Sequence, residues 1–99
     1  MNIKTNMIMH IGSNTFGKQN SIKRFINNFK LLDEESKKLI ILENDDKIFN
    51  IKDTLEICKI LNIPMVLDYH HHICNNDNLK LEDYIEEIFK TWKNDIPKI

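Results

Sequence analysis

Residues of metal-ligating type stand behind three short apolar runs: His10 after Met7-Ile8-Met9, Glu43 after Leu39-Ile40-Ile41-Leu42, and Asp68 after Met65-Val66-Leu67, with His71 a few positions on. Two imidazoles and two carboxylates without a thiolate suit manganese or zinc better than an iron–sulfur cluster or a Cys-rich structural zinc site. A carboxylate can bridge two cations, and a multi-metal site stabilises both the attacking and the leaving oxygen of a phosphodiester displacement. The chemistry these residues suit is metal-assisted hydrolysis of a phosphate ester.

Each residue also has a plainer reading. A lone histidine at a strand end is more often a hydrogen-bonded structural residue than a ligand. An acid after an apolar run can be a solvated end, although acids are seldom set into a sheet interior without a partner. The alignment of His10 with two acids favours ligation. Within Asp68-Tyr69-His70-His71-His72, one imidazole serves as ligand while its neighbours contact substrate, orient ligands or face solvent. Asp45 and Asp46 read as loop acids that cap the next helix, and Asn44 stays open between loop and site. Cys74 reads as structural or incidental. No P-loop and no dinucleotide-binding glycine pattern occurs.

The elements that must position these residues follow from periodicity. The three apolar runs read as strands, with Pro64 at a tolerated strand start. Ile22, Phe25, Ile26 and Phe29 have the spacing of a one-sided helix. A second helix is predicted at about Ile51 to Leu61, with Asn50 as N-cap, Asp53 at the positive end of the dipole and an apolar stripe of Leu55, Cys58 and Leu61. A third is predicted at about Leu81 to Lys93, burying Leu81, Tyr84, Ile85, Ile88, Phe89 and Trp92. Pro97-Lys98-Ile99 reads as the start of a further strand.

Repeated β-loop-α units imply parallel strands. Alternation then groups Ile8 with His10, Ile41 with Glu43 and Val66 with Asp68, while Met9, Leu42 and Leu67 turn towards the helices. The ligands converge on one face at the strand carboxyl ends, as inside a (β/α)8 TIM barrel of about 250 residues. Residues 1–99 therefore read as one α/β domain, a partial barrel of about three units. Ile8, Ile41, Pro64 and Val66 are expected to lie poorly enclosed on its inner face, leaving the chain prone to self-association.

Composition bounds the rest. The 99 residues are 41% hydrophobic and 29% charged, an ordinary globular balance. Lys and Arg total 14 against 15 Asp and Glu, a net charge of -1 that argues against holding nucleic acid mainly through a basic surface. DNA is still admissible as a substrate, because bound cations can meet its phosphates. No long apolar run and no signal-peptide layout occurs, so a soluble, cytoplasmic chain without a membrane partner is expected. Two cysteines outside any Cys-x-x-Cys pair read as reduced thiols.

His10-Ile11-Gly12, Leu42-Glu43-Asn44-Asp45-Asp46-Lys47, Ile63-Pro64-Met65-Val66-Leu67-Asp68 with His70-His71-His72, and the closing Pro97-Lys98-Ile99 together resemble the UV-damage endonuclease family of DNA repair enzymes. The resemblance implies an endonuclease IV-like barrel holding divalent metal ions, manganese first and zinc or magnesium as alternatives. It implies damaged double-stranded DNA as partner and incision 5′ to ultraviolet photoproducts. By motif matching, His10, Glu43, Asp68 and His71 take metal-ligand places, with Glu43 as the bridging acid. Glu43, Asp68 and Lys98 take catalytic places, Lys98 as a carboxylated ligand.

The family's earlier and later strands have no counterpart here, so the chain reads as a central piece of the barrel, inactive by itself. The alternative is a non-catalytic remnant, or a metal-binding half-barrel that needs a partner chain. The donor set also suits a sugar-isomerase-like barrel, which the Asn-Asp-Asp and triple-His strings disfavour.

Overall fold

Three parallel strands are laid down in chain order, each leading towards a helix that returns over one face of the sheet. The structure, a computed structural model, describes residues 7–11 and 17–93. Strand β1 (Met7–Met9) pairs with β2 (Ile40–Glu43), and β2 with β3 (Met65–Val66), giving the order β1-β2-β3. Ile8 lies opposite Ile41, and Glu43 opposite Val66. Because the pairing is parallel, the carboxyl ends of all three strands share one edge of the sheet. Lys98 and the strand expected from Pro97 lie outside the described residues, as does most of the loop after Ile11.

The helices form where sequence supplies both a start signal and an apolar stripe. Helix α1 (Lys18–Lys30) begins after Gly17, whose φ of 90° suits glycine, and buries Phe29. Helix α2 (Glu34–Leu39) was not expected from periodicity; Leu39 closes this helix instead of opening the strand. Its signals are polar: the Asp33 carboxylate accepts from Ser36 N at 2.7 Å, acids fill the first turn, and lysines the last. Helix α3 (Ile51–Leu61) has the predicted bounds and Asn50 cap, completed as a capping box by Asp53. Asn62 ends it in the left-handed conformation.

Two expectations need correction. The sequence predicts no helix between β3 and Leu81, yet the triple histidine lies within helix α4 (Tyr69–Cys74), whose N-cap is Asp68 accepting from His71 N at 2.9 Å. The last predicted helix is broken into a 3₁₀ turn (Leu81–Asp83) and α5 (Ile85–Lys90), with Tyr84 between them and Phe89 37% exposed.

The main core lies between the sheet and its helices, joining Leu42, Met65 and Leu67 to Phe29, Phe49, Ile51, Leu55, Ile57 and Ile88, with Met9 packed against them. On the opposite face, Ile41 and Val66 form a second cluster with Trp92. That cluster corrects the reading of the inner face. Ile8 is 51% exposed as expected, but Ile41 and Val66 are buried with the Trp92 indole, which helical spacing alone puts on the other face.

Candidate metal centre

The sheet edge that collects the strand carboxyl ends also collects the candidate ligands. Glu43 closes β2 on the Ile41 face, and Asp68 follows β3 on the Val66 face. His71 is carried back over both acids by the first turn of α4. Ligand atoms of Glu43, Asp68 and His71 all lie within 4.8 Å of one another. His71 Nδ1 is 3.3 Å from Asp68 Oδ2 and 3.6 Å from Glu43 Oε1. His10 stands at the rim: its Nε2 is 3.5 Å from Glu43 Oε1, its ring centroid is 6.4 Å from that of His71, and its side chain is half exposed.

Local turns hold this arrangement. Asp45 Oδ1 accepts from the amides of Lys47, Ile48 and Phe49 at 2.6–3.0 Å. It therefore pins its own loop; the expected capping of the next helix is done by Asn50 and Asp53 instead. Asn44, left open by the sequence, is fully buried beneath the centre. Its side chain bonds the backbone of Asp68 and its carbonyl meets His71 Nδ1 at 2.9 Å. The three adjacent histidines separate by helical geometry: His70 is exposed, His71 faces the acids, and His72 is buried with no hydrogen-bond partner for Nδ1 among the described residues. Lys18 pairs with Asp53 at 2.5 Å, tying the start of α1 to the start of α3.

Negative charge governs the electrostatics. The hydrogen bond to the Asn44 carbonyl raises the His71 pKa above the ordinary histidine value; partial burial opposes it, and Asp68, Glu43 and Asp46 add to the rise. Without a cation, the pocket thus favours a proton on the imidazole. A divalent cation suits the same place, since two carboxylates and an imidazole are hard-to-intermediate donors arranged around one point. Cys58 and Cys74 contribute nothing to it: neither belongs to the ligand cluster, and both are free thiols, Cys58 buried and Cys74 exposed.

The family model for UV-endonuclease UvdE matches residues 1–98. The chain belongs to this family. UvdE-family relatives include the UV DNA damage endonuclease of Bacillus mycoides (strain KBAB4), 43% identical over 93 residues, and that of Bacillus anthracis (strain A0248), 42% identical over the same length. Each match takes in 92% of this chain and 29% of the relative. The crystal structure of SacUVDE is similar over 92% of this chain and 32% of its own, with a TM-score of 0.85 and 38% identity. The described β-α units therefore have the backbone course of part of a UvdE-family protein, and this chain spans under a third of the length of those relatives. No helix among the described residues is long and apolar enough to cross a membrane.

Proposed function

We propose that this chain carries part of the divalent-metal centre of a DNA repair endonuclease, set on a partial (β/α)8 barrel of the endonuclease IV-like type formed by residues 1–99. The reaction is phosphodiester hydrolysis 5′ to ultraviolet photoproducts in duplex DNA. The observation that supports it most is the approach of Glu43, Asp68 and His71 to within 4.8 Å at the carboxyl ends of parallel strands, where α/β barrels keep their chemistry.

Glu43, Asp68 and His71 would hold the ion, with His10 as a further ligand at the rim. When bound, a divalent cation supplies Lewis-acid charge to phosphate oxygens. The carboxylates set the charge of the pocket, and Glu43, lying between His10 and His71, is placed to bridge. Oxygen donors with imidazole and no thiolate favour manganese, with zinc or magnesium as alternatives. Lys98 keeps the carboxylated-lysine role that the family resemblance gives it. Damaged double-stranded DNA is the partner, and the net charge of -1 makes metal contact to phosphate more important than a basic surface.

The test is a chimera in which this chain replaces the matching segment of a full-length relative. Nicking of irradiated but not unirradiated duplex DNA, mapped 5′ to the lesion and abolished by Glu43→Gln, is expected with manganese. A folded chimera that leaves irradiated DNA intact sinks the reading. The 99-residue chain assayed alone is expected to leave DNA intact.

A further inference from the structure

The residue that does most to hold the candidate ligands together carries no charge. Asn44 follows Glu43 directly and is fully buried. Its Oδ1 accepts from Asp68 N at 2.8 Å, and its Nδ2 donates to Asp68 O at 3.0 Å. Both bonds go to one extended residue, with φ of -99° and ψ of 104°, whose N–H and C=O are gripped by one planar amide. The side chain thereby continues the β2–β3 pairing beyond Glu43 and Val66, where the strands end. Meanwhile the Asn44 carbonyl, 2.9 Å from His71 Nδ1, is placed to accept a hydrogen bond from the ring.

We propose that Asn44 is the positioning residue of the metal centre: its amide clamps the backbone of Asp68 and its carbonyl orients His71, so one buried side chain and its own peptide fix three ligands against each other. The proposal rests on the metal reading above and deepens it. Glu43 is held as the preceding residue in the chain. Asp68 is held by its backbone, leaving its carboxylate to accept from His71 N and face the centre. His71 is held by the contact of its Nδ1 with that carbonyl, which fixes the ring beside both acids.

The chemistry is specific to asparagine. Aspartate has nearly the same shape but two acceptors, so one oxygen would oppose the Asp68 carbonyl. Leucine keeps the volume and makes neither bond. Outer-shell substitutions of this kind typically weaken metal binding by about 10–100-fold. Asn44→Asp is the sharper variant, because it adds negative charge beside the centre and would strengthen cation binding if charge mattered more than position.

The experiment titrates Mn²⁺ into the 99-residue chain, following free ion by electron paramagnetic resonance, for wild type, Asn44→Asp, Asn44→Leu and Ile88→Ala. Ile88 lies in the main core, so its truncation lowers stability without touching the centre. Both Asn44 variants are expected to bind about 10–100-fold more weakly, with Ile88→Ala close to wild type. Asn44 variants that bind like wild type, or an Ile88→Ala loss of equal size, overturn the proposal.

Amide exchange and ring ¹⁵N shifts of the metal-free wild type supply a readout that survives misfolded variants. A slowly exchanging Asp68 N–H and a proton on Nδ1 of His71 are expected. Exchange at Asp68 as fast as in exposed loops overturns the clamp by itself. A wild type that shows the clamp but holds no Mn²⁺ overturns the metal reading, and with it the role of Asn44 in that centre.

Discussion

Trp92 Nε1 donates a 2.7 Å hydrogen bond to the carbonyl oxygen of Met65, on the side of β3 that faces away from β2. The amide of the same Met65 is taken by Thr91 Oγ1 at 2.8 Å. Two consecutive side chains thus satisfy the donor and acceptor that a further strand would otherwise use. The same indole lies over Ile41 and Val66, closing the inner face of the sheet with apolar contact and the sheet edge with a polar one. A buried backbone group left without a partner costs about 1–3 kcal/mol.

That double role separates two substitutions at Trp92. Trp92→Phe keeps most of the apolar cover but orphans the Met65 carbonyl, and should destabilise by about 1–3 kcal/mol. Trp92→Ala removes both and should cost about 3–5 kcal/mol. Urea unfolding of the two variants measures the difference. Equal losses would mean that the hydrogen bond contributes nothing beyond packing.

At the opposite end of the sheet, β1 offers Met7 and Ile8, each about half exposed, on a strand with no described partner beyond β2. Unpaired, apolar strand edges promote association. Sedimentation of the purified chain is therefore expected to show concentration-dependent oligomers, reduced by Ile8→Lys. A wild-type chain that stays monomeric at high micromolar concentration would remove β1 as an association edge.

The β-α order, the bounds and cap of α3, and the division of strand residues between two faces were legible because each depends on local spacing. Asn50 and Asp53 have a capping-box separation, and Ile41 alternates with Leu42 whatever surrounds them. Helix α2 escaped because a short helix signalled by Asp33, Glu34, Glu35, Lys37 and Lys38 has almost no apolar period to read. Trp92 escaped for the opposite reason: its spacing from Ile85 and Ile88 fits a helical stripe, yet the helix ends before it and the ring turns under the sheet. Glu43, Asp68 and His71 were visible as residue types at strand ends. The clamp by Asn44 was not, since a buried amide that grips a backbone across the sheet leaves no periodic trace.

The two thiols should react very differently. Burial pushes the Cys58 thiol up to about 12, and its Sγ lies 3.7 Å from the Pro64 carbonyl oxygen. Cys74 is exposed. Because the thiolate is the reactive form, a disulfide reagent at neutral pH should titrate Cys74 promptly and Cys58 only on unfolding. Mass spectrometry of the labelled peptides decides it. Prompt native labelling of Cys58 would show that the core over α3 opens easily.

His71 makes the pH behaviour of the centre predictable in sign. Its pKa is raised in the folded chain, first by the hydrogen bond to the Asn44 carbonyl and then by Asp68, Glu43 and Asp46 against the opposing effect of burial. A raised folded value means that the metal-free chain binds the proton more tightly than the unfolded chain does. The resulting stabilisation is fully present below the ordinary histidine value of about 6.5 and is lost as pH rises through the folded value. Mn²⁺ needs the neutral imidazole, so its affinity should climb over the same interval. Apo stability and metal affinity are expected to move in opposite directions with pH. Glu43→Gln removes one contributing charge and should lower the His71 midpoint without returning it to the ordinary value, because the Asn44 carbonyl remains. Following the His71 Cε1–H resonance against pH in wild type and Glu43→Gln measures both steps. A wild-type midpoint at or below the ordinary value would show that the carbonyl and the acids do not act on the ring as the geometry requires.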